Sequence, residues 1–225
     1  MPSPPQPTVE VQKLWATTFY AFQRPDHTET AGELIKDLYE LRDGQNKQID
    51  SHVAPAAKST AGLYESDFDL LSRPVASLQK LHEFLTRCLQ LAVSHINGGK
   101  VPPEKIQPRI VDSWYHITND GGFHDAHFHG GCSWCGIYYI QLGQSGPVAG
   151  GGAPNGGSRF YSPLGAGGNY RDYGNQYLNQ SYMDPPLRNG MVLLFPAYLL
   201  HSGLPYRGET DRVLIAFNAQ AEVKK

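Results

Sequence analysis

The 225-residue sequence is poor in cysteine and methionine, with three of each, and no apolar run approaches the length of a membrane-spanning helix. An odd number of cysteines argues against the disulfide framework of a small secreted protein. The sequence begins without the basic and apolar regions of a secretory signal, so we expect a cytoplasmic protein. The net charge of −2 shows no strong excess of either sign, and we expect no binding to nucleic acid or to membranes.

Glycine and proline are plentiful instead, with 24 and 17 residues, which predicts a chain rich in loops. The length suits a single domain over residues 1–225, with a disordered tail at 1–8. Residues 9–108 are predicted to supply an N-terminal strand and supporting helices. Residues 109–220 are predicted to form a β-rich core, whose long loop at 143–188 we interpret as a lid.

Two helices are predicted in the N-terminal part of the chain. A β-branched and aromatic run at 9–22 first predicts a strand. Thr30 and Glu33 have the spacing of a capping box, so the first helix should begin there and end at Gly44. The second helix should run over 73–96, where leucines recur along one face at helical spacing.

From residue 109 onward the pattern changes to β. Apolar and alternating segments are separated there by glycine-rich stretches, which is typical of a sandwich or barrel. The predicted fold class is therefore α+β, mainly β. The predicted strands are 109–118, 135–142, 158–161, 191–196 and 212–218.

The most informative motif is His127-Phe-His129, which is followed far downstream by His201. Alternate residues of a strand share one face, so the first two imidazoles could bind one metal ion. His201 follows a hydrophobic strand, which would hold it firmly at the mouth of a barrel. Three protein ligands leave positions open for substrate and O₂, as in non-haem iron oxygenases. Imidazole also suits zinc, copper and nickel, and such histidines are often ordinary surface residues.

Arg212 narrows these alternatives. It opens an alternating strand that places Leu214 and Asn218 on the same face, and a half-buried arginine there needs a counter-charge. A guanidinium is the usual partner of a carboxylate, which suggests a 2-oxoacid. The structural alternative is a salt bridge with Asp211 or Glu209. The opposite face of the strand should face the core through Val213, Ile215 and Phe217.

Several neighbours of the histidine pair need their own interpretation. Cys132 and Cys135 have the spacing of a zinc site or a redox pair. Zinc would leave the downstream histidine and arginine unexplained, so we interpret Cys135 as a small residue lining the pocket. Asp125 could supply a carboxylate ligand, but its position next to His124 favours a role in orienting a ligand. Trp114 and His116 are further candidates to orient a ligand, although His116 fits the core equally well.

Together these motifs resemble the iron(II)- and 2-oxoglutarate-dependent oxygenases, and within them a group of uncharacterised members. The resemblance covers roughly residues 109–218. His116 stands where that group has Asn, and Cys135 where it has Ser. The similar motifs are, in order, Trp114-Tyr-His116, His127-Phe-His129, Cys135-Gly-Ile-Tyr-Tyr139, Gly157-Ser-Arg-Phe160, Leu194-Phe-Pro-Ala-Tyr-Leu-Leu-His201 and Arg212-Val-Leu-Ile-Ala-Phe-Asn218.

The resemblance implies a double-stranded β-helix (jelly-roll) core backed by the N-terminal helices. It implies Fe(II) held by His127, His129 and His201, with His129 in the place of the usual Asp. It also implies that Arg212 binds the distal carboxylate of 2-oxoglutarate. The same cosubstrate pocket would be lined by Tyr139, Cys135, Ile137 and Asn218.

The implied activity is oxidation of a small-molecule or peptide substrate, expected to be a hydroxylation, with O₂ consumed and succinate and CO₂ released. The sequence does not identify the substrate, and it leaves open whether the chain forms a homo-oligomer. Two alternatives stay open: a three-His cupin dioxygenase independent of 2-oxoglutarate, and a non-enzymatic jelly-roll protein that binds a metal. Arg212 favours the 2-oxoglutarate-dependent enzyme.

Overall fold

A computed structural model of the protein describes residues 17–46, 62–163 and 181–224, and the predicted tail at 1–8 lies outside them. These residues form two long helices, α1 (His27–Asn46) and α2 (Ala76–Ile96). Short 3₁₀ turns lie at Leu70–Ser72 and Pro103–Lys105. The strands are β1 (Tyr20–Gln23), β2 (Leu63–Glu65), β3 (Ile106–Thr118), β4 (Gly122–His127), β5 (Trp134–Gln141), β6 (Ser158–Tyr161), β7 (Tyr182–Met183), β8 (Met191–Pro196), β9 (His201–Tyr206) and β10 (Arg212–Val223).

The strands form two antiparallel sheets. The major sheet has the order β1-β8-β5-β10-β3-β2, and the minor sheet has the order β4-β9-β6-β7. The longest pairing joins β10 to β3, from Arg212 opposite Thr118 to Val223 opposite Ile106. This mainly β architecture with two helices confirms the predicted fold class.

Both helices cover one face of the major sheet. The predicted apolar stripe of α2 is confirmed, because its residues are fully buried and pack with sheet residues such as Ile215 and Tyr138. Burying each such leucine contributes roughly 1.5–3 kcal/mol. Neither described helix combines the length and apolar character needed to cross a membrane. The stripe consists of Leu78, Leu81, Leu85, Leu89 and Ala92.

The predicted boundaries of α1 are wrong. The helix begins at His27, after a turn at residues 25–26, and Thr30 lies inside its first turn. The Thr30 hydroxyl and backbone N–H both donate to the carbonyl oxygen of Asp26, so Thr30 does not cap the helix. Gly44 lies within the helix, on its exposed side, where glycine weakens a helix by about 1 kcal/mol without ending it.

Two strands that carry functional side chains were not predicted. β4 and β9 pair with each other in the minor sheet, and their register shifts between Gly122 and His124 and again between His124 and His127. Such irregularities hide the alternating pattern that identifies a strand in sequence. The interval 143–188 is interrupted by β6, which matches the strand predicted at 158–161, and by the short strand β7, which was not predicted. Residues 164–180 of that interval lie outside the described residues.

Candidate metal centre and anion pocket

Three histidines converge where β4 and β9 meet. Each of His127, His129 and His201 offers a ring nitrogen that lies within 4.8 Å of the nitrogens offered by the other two. The ring centroids are separated by 4.3 Å between His127 and His201, 4.9 Å between His127 and His129, and 5.3 Å between His129 and His201. Three nitrogen donors so close together can hold one divalent ion and leave coordination positions open.

Strand register explains how these distant residues meet. His127 is the last residue of β4 and His201 is the first of β9, and the two are directly paired. His129 lies beyond the end of β4, so the two imidazoles are not alternate residues of one strand as predicted. The backbone N–H of His129 donates to the carbonyl oxygen of Ala197 at 3.0 Å. That bond holds the short segment after β4 beside the segment that precedes β9.

Backbone carbonyls fix the tautomers of two of these histidines. Nδ1 of His127 lies 2.7 Å from the carbonyl oxygen of Asp125, and Nδ1 of His201 lies 2.9 Å from that of Leu199. A carbonyl oxygen can only accept, so each Nδ1 carries the proton and donates it. The lone pair is then on Nε2, which is the arrangement that outer partners impose on metal-binding histidines.

The three imidazoles are neutral at neutral pH. Burial lowers the pKa of His127 to about 4 and that of His201 to about 3, and neighbouring imidazoles add to both effects. Burial also lowers the pKa of His129. Metal binding requires unprotonated imidazoles, so these depressed pKa values remove proton competition over the physiological range.

A buried arginine lines the same cavity as the three histidines. Arg212 is only 3% exposed, yet no carboxylate of the described residues pairs with it. Its Nη2 donates to the hydroxyl of Ser158 at 3.2 Å, and its Nε has no hydrogen-bond partner. A buried guanidinium without a counter-charge is unfavourable unless an anion enters beside it.

The alternative salt bridge from Arg212 to Asp211 or Glu209 is not formed. Instead, the Asp211 carboxylate accepts hydrogen bonds from the Tyr39 hydroxyl at 2.5 Å and the Asn119 amide at 2.9 Å. This acid therefore points to the helix side of the structure, where α1 lies. Within residues 17–46, 62–163 and 181–224, the arginine on the cavity side of β10 has no acidic neighbour that affects its pKa.

Ser158 connects Arg212 to Tyr139. The Tyr139 hydroxyl donates to the Ser158 hydroxyl at 2.8 Å, and the guanidinium carbon lies 5.6 Å from the centre of the Tyr139 ring. Burial lowers the pKa of Arg212 and raises the pKa of Tyr139 to about 12. The tyrosine therefore stays protonated and lies behind Ser158, so an anion entering the cavity would meet the Arg212 guanidinium and the Ser158 hydroxyl.

Of the other predicted pocket residues, two line the cavity and one lies behind them. Cys135 and Ile137 line the cavity directly from β5. Asn218 reaches it only through Cys135, whose thiol donates to the Asn218 amide oxygen at 3.2 Å. The Asn218 amide nitrogen in turn donates to the carboxylate of Asp112 at 3.2 Å. Asn218 thus supports the pocket wall from behind.

The three residues predicted to orient ligands lie beside the group formed by His127, His129 and His201. The Trp114 ring lies 5.6 Å from that of His129, and its indole N–H donates to Nε2 of His116 at 3.2 Å. Asp125 contributes its backbone carbonyl to His127, while its side chain is exposed. His116 is buried and lines the cavity, so it belongs to the pocket rather than to the helix-side core.

The cysteine pair does not complete a zinc site. Among residues 17–46, 62–163 and 181–224, neither Cys132 nor Cys135 joins a group of three potential metal ligands. Burial raises the pKa of both thiols, which disfavours the thiolate that zinc requires. The interpretation of Cys135 as a pocket-lining residue therefore agrees with its surroundings.

Sequence reasoning missed two important residues. Ser158 lies in the Gly157–Phe160 motif, but its contact with Arg212 depends on a pairing between distant strands. Glu65 lies on the short strand β2, and its carboxylate lies 2.8 Å from Nε2 of His116. The motif does not indicate the role of Ser158, and no local pattern marks Glu65, because each acquires its partners only through sheet assembly.

Comparison with known proteins supports this description. Residues 112–218, which contain the three histidines and Arg212, match the model of a family described as "Putative 2OG-Fe(II) oxygenase". No curated protein matches the chain. The similar solved structures described next are all below 25% identity, so the likeness shows a shared fold.

A prolyl-4-hydroxylase from Pseudomonas putida is 14% identical, with 92% of this chain and 95% of that chain covered and a TM-score of 0.53. HygX from Streptomyces hygroscopicus, solved with nickel and 2-oxoglutarate bound, is 15% identical over 91% and 83%, with a TM-score of 0.52. SnoN, described as a non-haem α-ketoglutarate-dependent epimerase from nogalamycin biosynthesis, is 13% identical over 92% and 79%, with a TM-score of 0.54.

Proposed function

Because the chain carries a domain of the iron(II)- and 2-oxoglutarate-dependent oxygenases, and is thus an oxidoreductase, we propose that it hydroxylates a small-molecule or peptide substrate. The reaction would consume 2-oxoglutarate and O₂ and release succinate and CO₂. We assign His127, His129 and His201 to Fe(II), and Arg212 to the distal carboxylate of 2-oxoglutarate. We also propose that residues 1–225 act as one domain.

The buried, unpaired Arg212 in the same cavity as three neutral imidazoles carries this proposal. 2-Oxoglutarate has a carboxylate at each end, so one end can pair with the guanidinium while the other approaches the histidines. A three-His cupin dioxygenase that needs no 2-oxoacid would leave the buried cation without a partner. The arginine therefore favours a cosubstrate that is a dicarboxylate.

The donor set suits Fe(II), because imidazole is a suitable ligand for iron and three protein nitrogens leave coordination positions open. In place of a carboxylate, His129 contributes a neutral nitrogen, so the protein ligands would leave the full charge of the ion uncompensated. We expect weaker metal binding than at a site with two histidines and one carboxylate. We also expect the uncompensated charge to favour anionic cosubstrates.

The protein's own side chains would bind and orient the cosubstrate and exclude water from it. When bound, Fe(II) and 2-oxoglutarate supply the oxidising chemistry with O₂, which no protein side chain provides. Arg212 and Ser158 would hold the distal carboxylate, and apolar side chains such as Leu214 would exclude water beside it. Aromatic rings of Phe195 and Phe160 lie 4.8 Å and 5.8 Å from the His201 ring and restrict its orientation.

Large exposed apolar side chains surround the histidines in sequence and suit an apolar part of the substrate. Phe128, between two of the histidines, is 68% exposed, and Tyr198, shortly before His201, is 59% exposed. Contiguous exposed apolar patches often mark ligand contacts, so we propose that these two side chains contact the substrate. The fold is shared by a prolyl-4-hydroxylase and by HygX, which was also solved with hygromycin B bound, so both substrate classes stay in the proposal.

The test is an anaerobic titration of 2-oxoglutarate into the Fe(II)-loaded protein, followed by the visible charge-transfer band of the chelate. Arg212→Met should weaken binding by at least about 30-fold, since truncating one partner of a buried charge pair costs 2–5 kcal/mol. Arg24→Met is the matched control, because Arg24 is equally buried but pairs with Asp26. Its affinity for 2-oxoglutarate should be unchanged.

Each contrary result has a distinct meaning. Equal affinities in the wild type and Arg212→Met would refute the assignment of the arginine. Iron binding without any chelate band would favour the three-His cupin dioxygenase instead. Failure of the wild type to bind iron would refute the proposed metal ligands.

A further inference from the structure

A second group of potential metal ligands lies beside the first. Glu65, His116 and His124 each offer one ligand atom, and these atoms lie within 4.8 Å of one another. The three residues come from β2, β3 and β4, so they join the edge of the major sheet to the minor sheet. Both histidines also line the cavity.

Nε2 of His116 contacts both the indole of Trp114 and the carboxylate of Glu65. An indole N–H can only donate, so Nε2 of His116 accepts from Trp114 at 3.2 Å. The same nitrogen lies 2.8 Å from Oε2 of Glu65. An imidazole nitrogen and a carboxylate oxygen at that distance are held together by a proton or by a metal ion, and a metal ion bound to this nitrogen would replace its contact with Trp114.

His124 meets the same carboxylate oxygen in the same way. Its Nδ1 donates to the carbonyl oxygen of Asp125 at 3.2 Å, which places the lone pair of the neutral ring on Nε2. That Nε2 lies 3.5 Å from Oε2 of Glu65. Two imidazole lone pairs and a carboxylate oxygen therefore converge on one small region.

The distances suit coordination with little movement. A tetrahedral ion with bonds of about 2.0–2.1 Å holds its ligand atoms roughly 3.3 Å apart. The two nitrogen–oxygen separations, 2.8 Å and 3.5 Å, lie on either side of that value. The Glu65 side chain is only 4% exposed, so its carboxylate is largely removed from water.

We propose that Glu65, His116 and His124 bind a second divalent cation, next to the one assigned to His127, His129 and His201. Two histidines and one glutamate with an open fourth position are a ligand set that zinc prefers. The bound ion would link β2 and β3 to β4 and would add positive charge to the cavity wall. This inference does not depend on the reaction proposed for the first site.

The experiment is equilibrium dialysis of the full-length protein against Zn²⁺, followed by metal analysis. We expect two equivalents in the wild type and one in Glu65→Gln, which preserves the shape of the side chain but removes its charge. His201→Ala should also retain one equivalent, because it removes the neighbouring site. The control is His82→Ala, which changes a histidine on α2 remote from both groups of ligands. This variant should keep two equivalents of Zn²⁺.

A single equivalent in the wild type that survives in Glu65→Gln would overturn the proposal. So would a second equivalent that is lost in Cys132→Ser but retained in Glu65→Gln, because it would belong to the thiols. One equivalent that survives in His201→Ala but disappears in Glu65→Gln would support this site while refuting the first. The two assignments therefore fail separately.

A second measurement covers the case in which Glu65→Gln does not fold. Cobalt(II) absorbs more strongly in the visible range in four- or five-coordinate sites than in six-coordinate sites. His201→Ala, which removes the first site, should keep the strong band, and adding His124→Asn to that variant should remove it, provided that circular dichroism shows both variants folded. Retention of the strong band in the folded double variant would overturn the assignment.

Discussion

The two faces of strand β10 show how one backbone separates stability from chemistry. Val213, Ile215 and Phe217 face the helices and are completely buried in an all-apolar cluster. The opposite face of the same strand carries Arg212, followed by Leu214 and Ala216, against the cavity. Both faces exclude solvent, but the cavity face buries a guanidinium that no carboxylate of the described residues pairs with.

The neighbouring strands repeat this division. On β5, Tyr138 packs towards α1, where its hydroxyl lies 2.8 Å from Nδ1 of His27, while Tyr139 turns towards Arg212. On β3, Tyr115 belongs to the helix-side cluster and His116 to the cavity. Alternation along strands therefore places folding residues and candidate functional residues in adjacent sequence positions. Substitutions on the two faces should have different consequences.

The largest expected effect is on the cavity side. His201→Ala should lower succinate formation from 2-oxoglutarate by more than about 100-fold, because even outer partners of metal ligands cost 10–100-fold when removed. Its thermal unfolding should remain cooperative, since the substitution leaves the helix-side core intact. A turnover assay with purified protein checks this, with His82→Ala as a control that keeps its activity. Unchanged succinate release in His201→Ala would contradict the assignment.

The counterpart on the helix side is Ile215→Ala. Removing a fully buried isoleucine from the core should reduce the free energy of unfolding by about 2–5 kcal/mol, through lost burial and the cavity left behind. Urea denaturation measures this loss. At a temperature where the variant is folded, its affinity for 2-oxoglutarate should equal that of the wild type. If Ile215→Ala were stable but bound 2-oxoglutarate weakly, the helix-side face would also contribute to binding, which would contradict the separate roles of the two faces.

Arg212→Met should increase stability when no anion is present. The substitution replaces an unpaired buried charge with an apolar side chain, so we expect a gain of about 1–3 kcal/mol in the free energy of unfolding. Adding 2-oxoglutarate should reverse the order, because the wild type binds the ligand more tightly and is therefore stabilised more than the variant. Thermal unfolding with and without the cosubstrate tests both statements. A variant less stable than the ligand-free wild type would show that the guanidinium is already compensated.

The smallest effect concerns pH. In the metal-free protein, burial lowers the pKa of His127 and His201 from 6.5 to about 4 and about 3. Between pH 6.5 and pH 4 the unfolded chain therefore binds more protons than the folded one, so stability falls as the pH falls. The slope is at most about 1.4 kcal/mol per pH unit for each imidazole. Thermal unfolding in a chelator should show a shallower slope for His201→Ala.

Sequence patterns predicted the parts of the fold that depend on local periodicity. The alternation of β10 and the leucine stripe of α2 both appear in the structure as expected. The sequence also identified three histidines that the structure brings together. These successes rest on side-chain period and on the resemblance of a few ordered motifs to one family.

The remaining features depend on contacts between distant segments. β4 was missed because two irregularities in its pairing with β9 break the alternating pattern. The loop position of His129 and the contact of Ser158 with Arg212 follow from sheet assembly. The start of α1 was misplaced because the capping-box pattern at Thr30 competes with a turn that begins the helix earlier.

The carbonyl group of Asp125 has a consequence for the evolution of this chain. It accepts hydrogen bonds from Nδ1 of both His124 and His127, and the side chain attached to it is exposed. The orientation of two imidazoles thus depends on the path of the main chain and not on the identity of residue 125. Homologues should be able to carry different side chains at this position without losing the hydrogen bonds. Sequence conservation would therefore fail to show that the position matters.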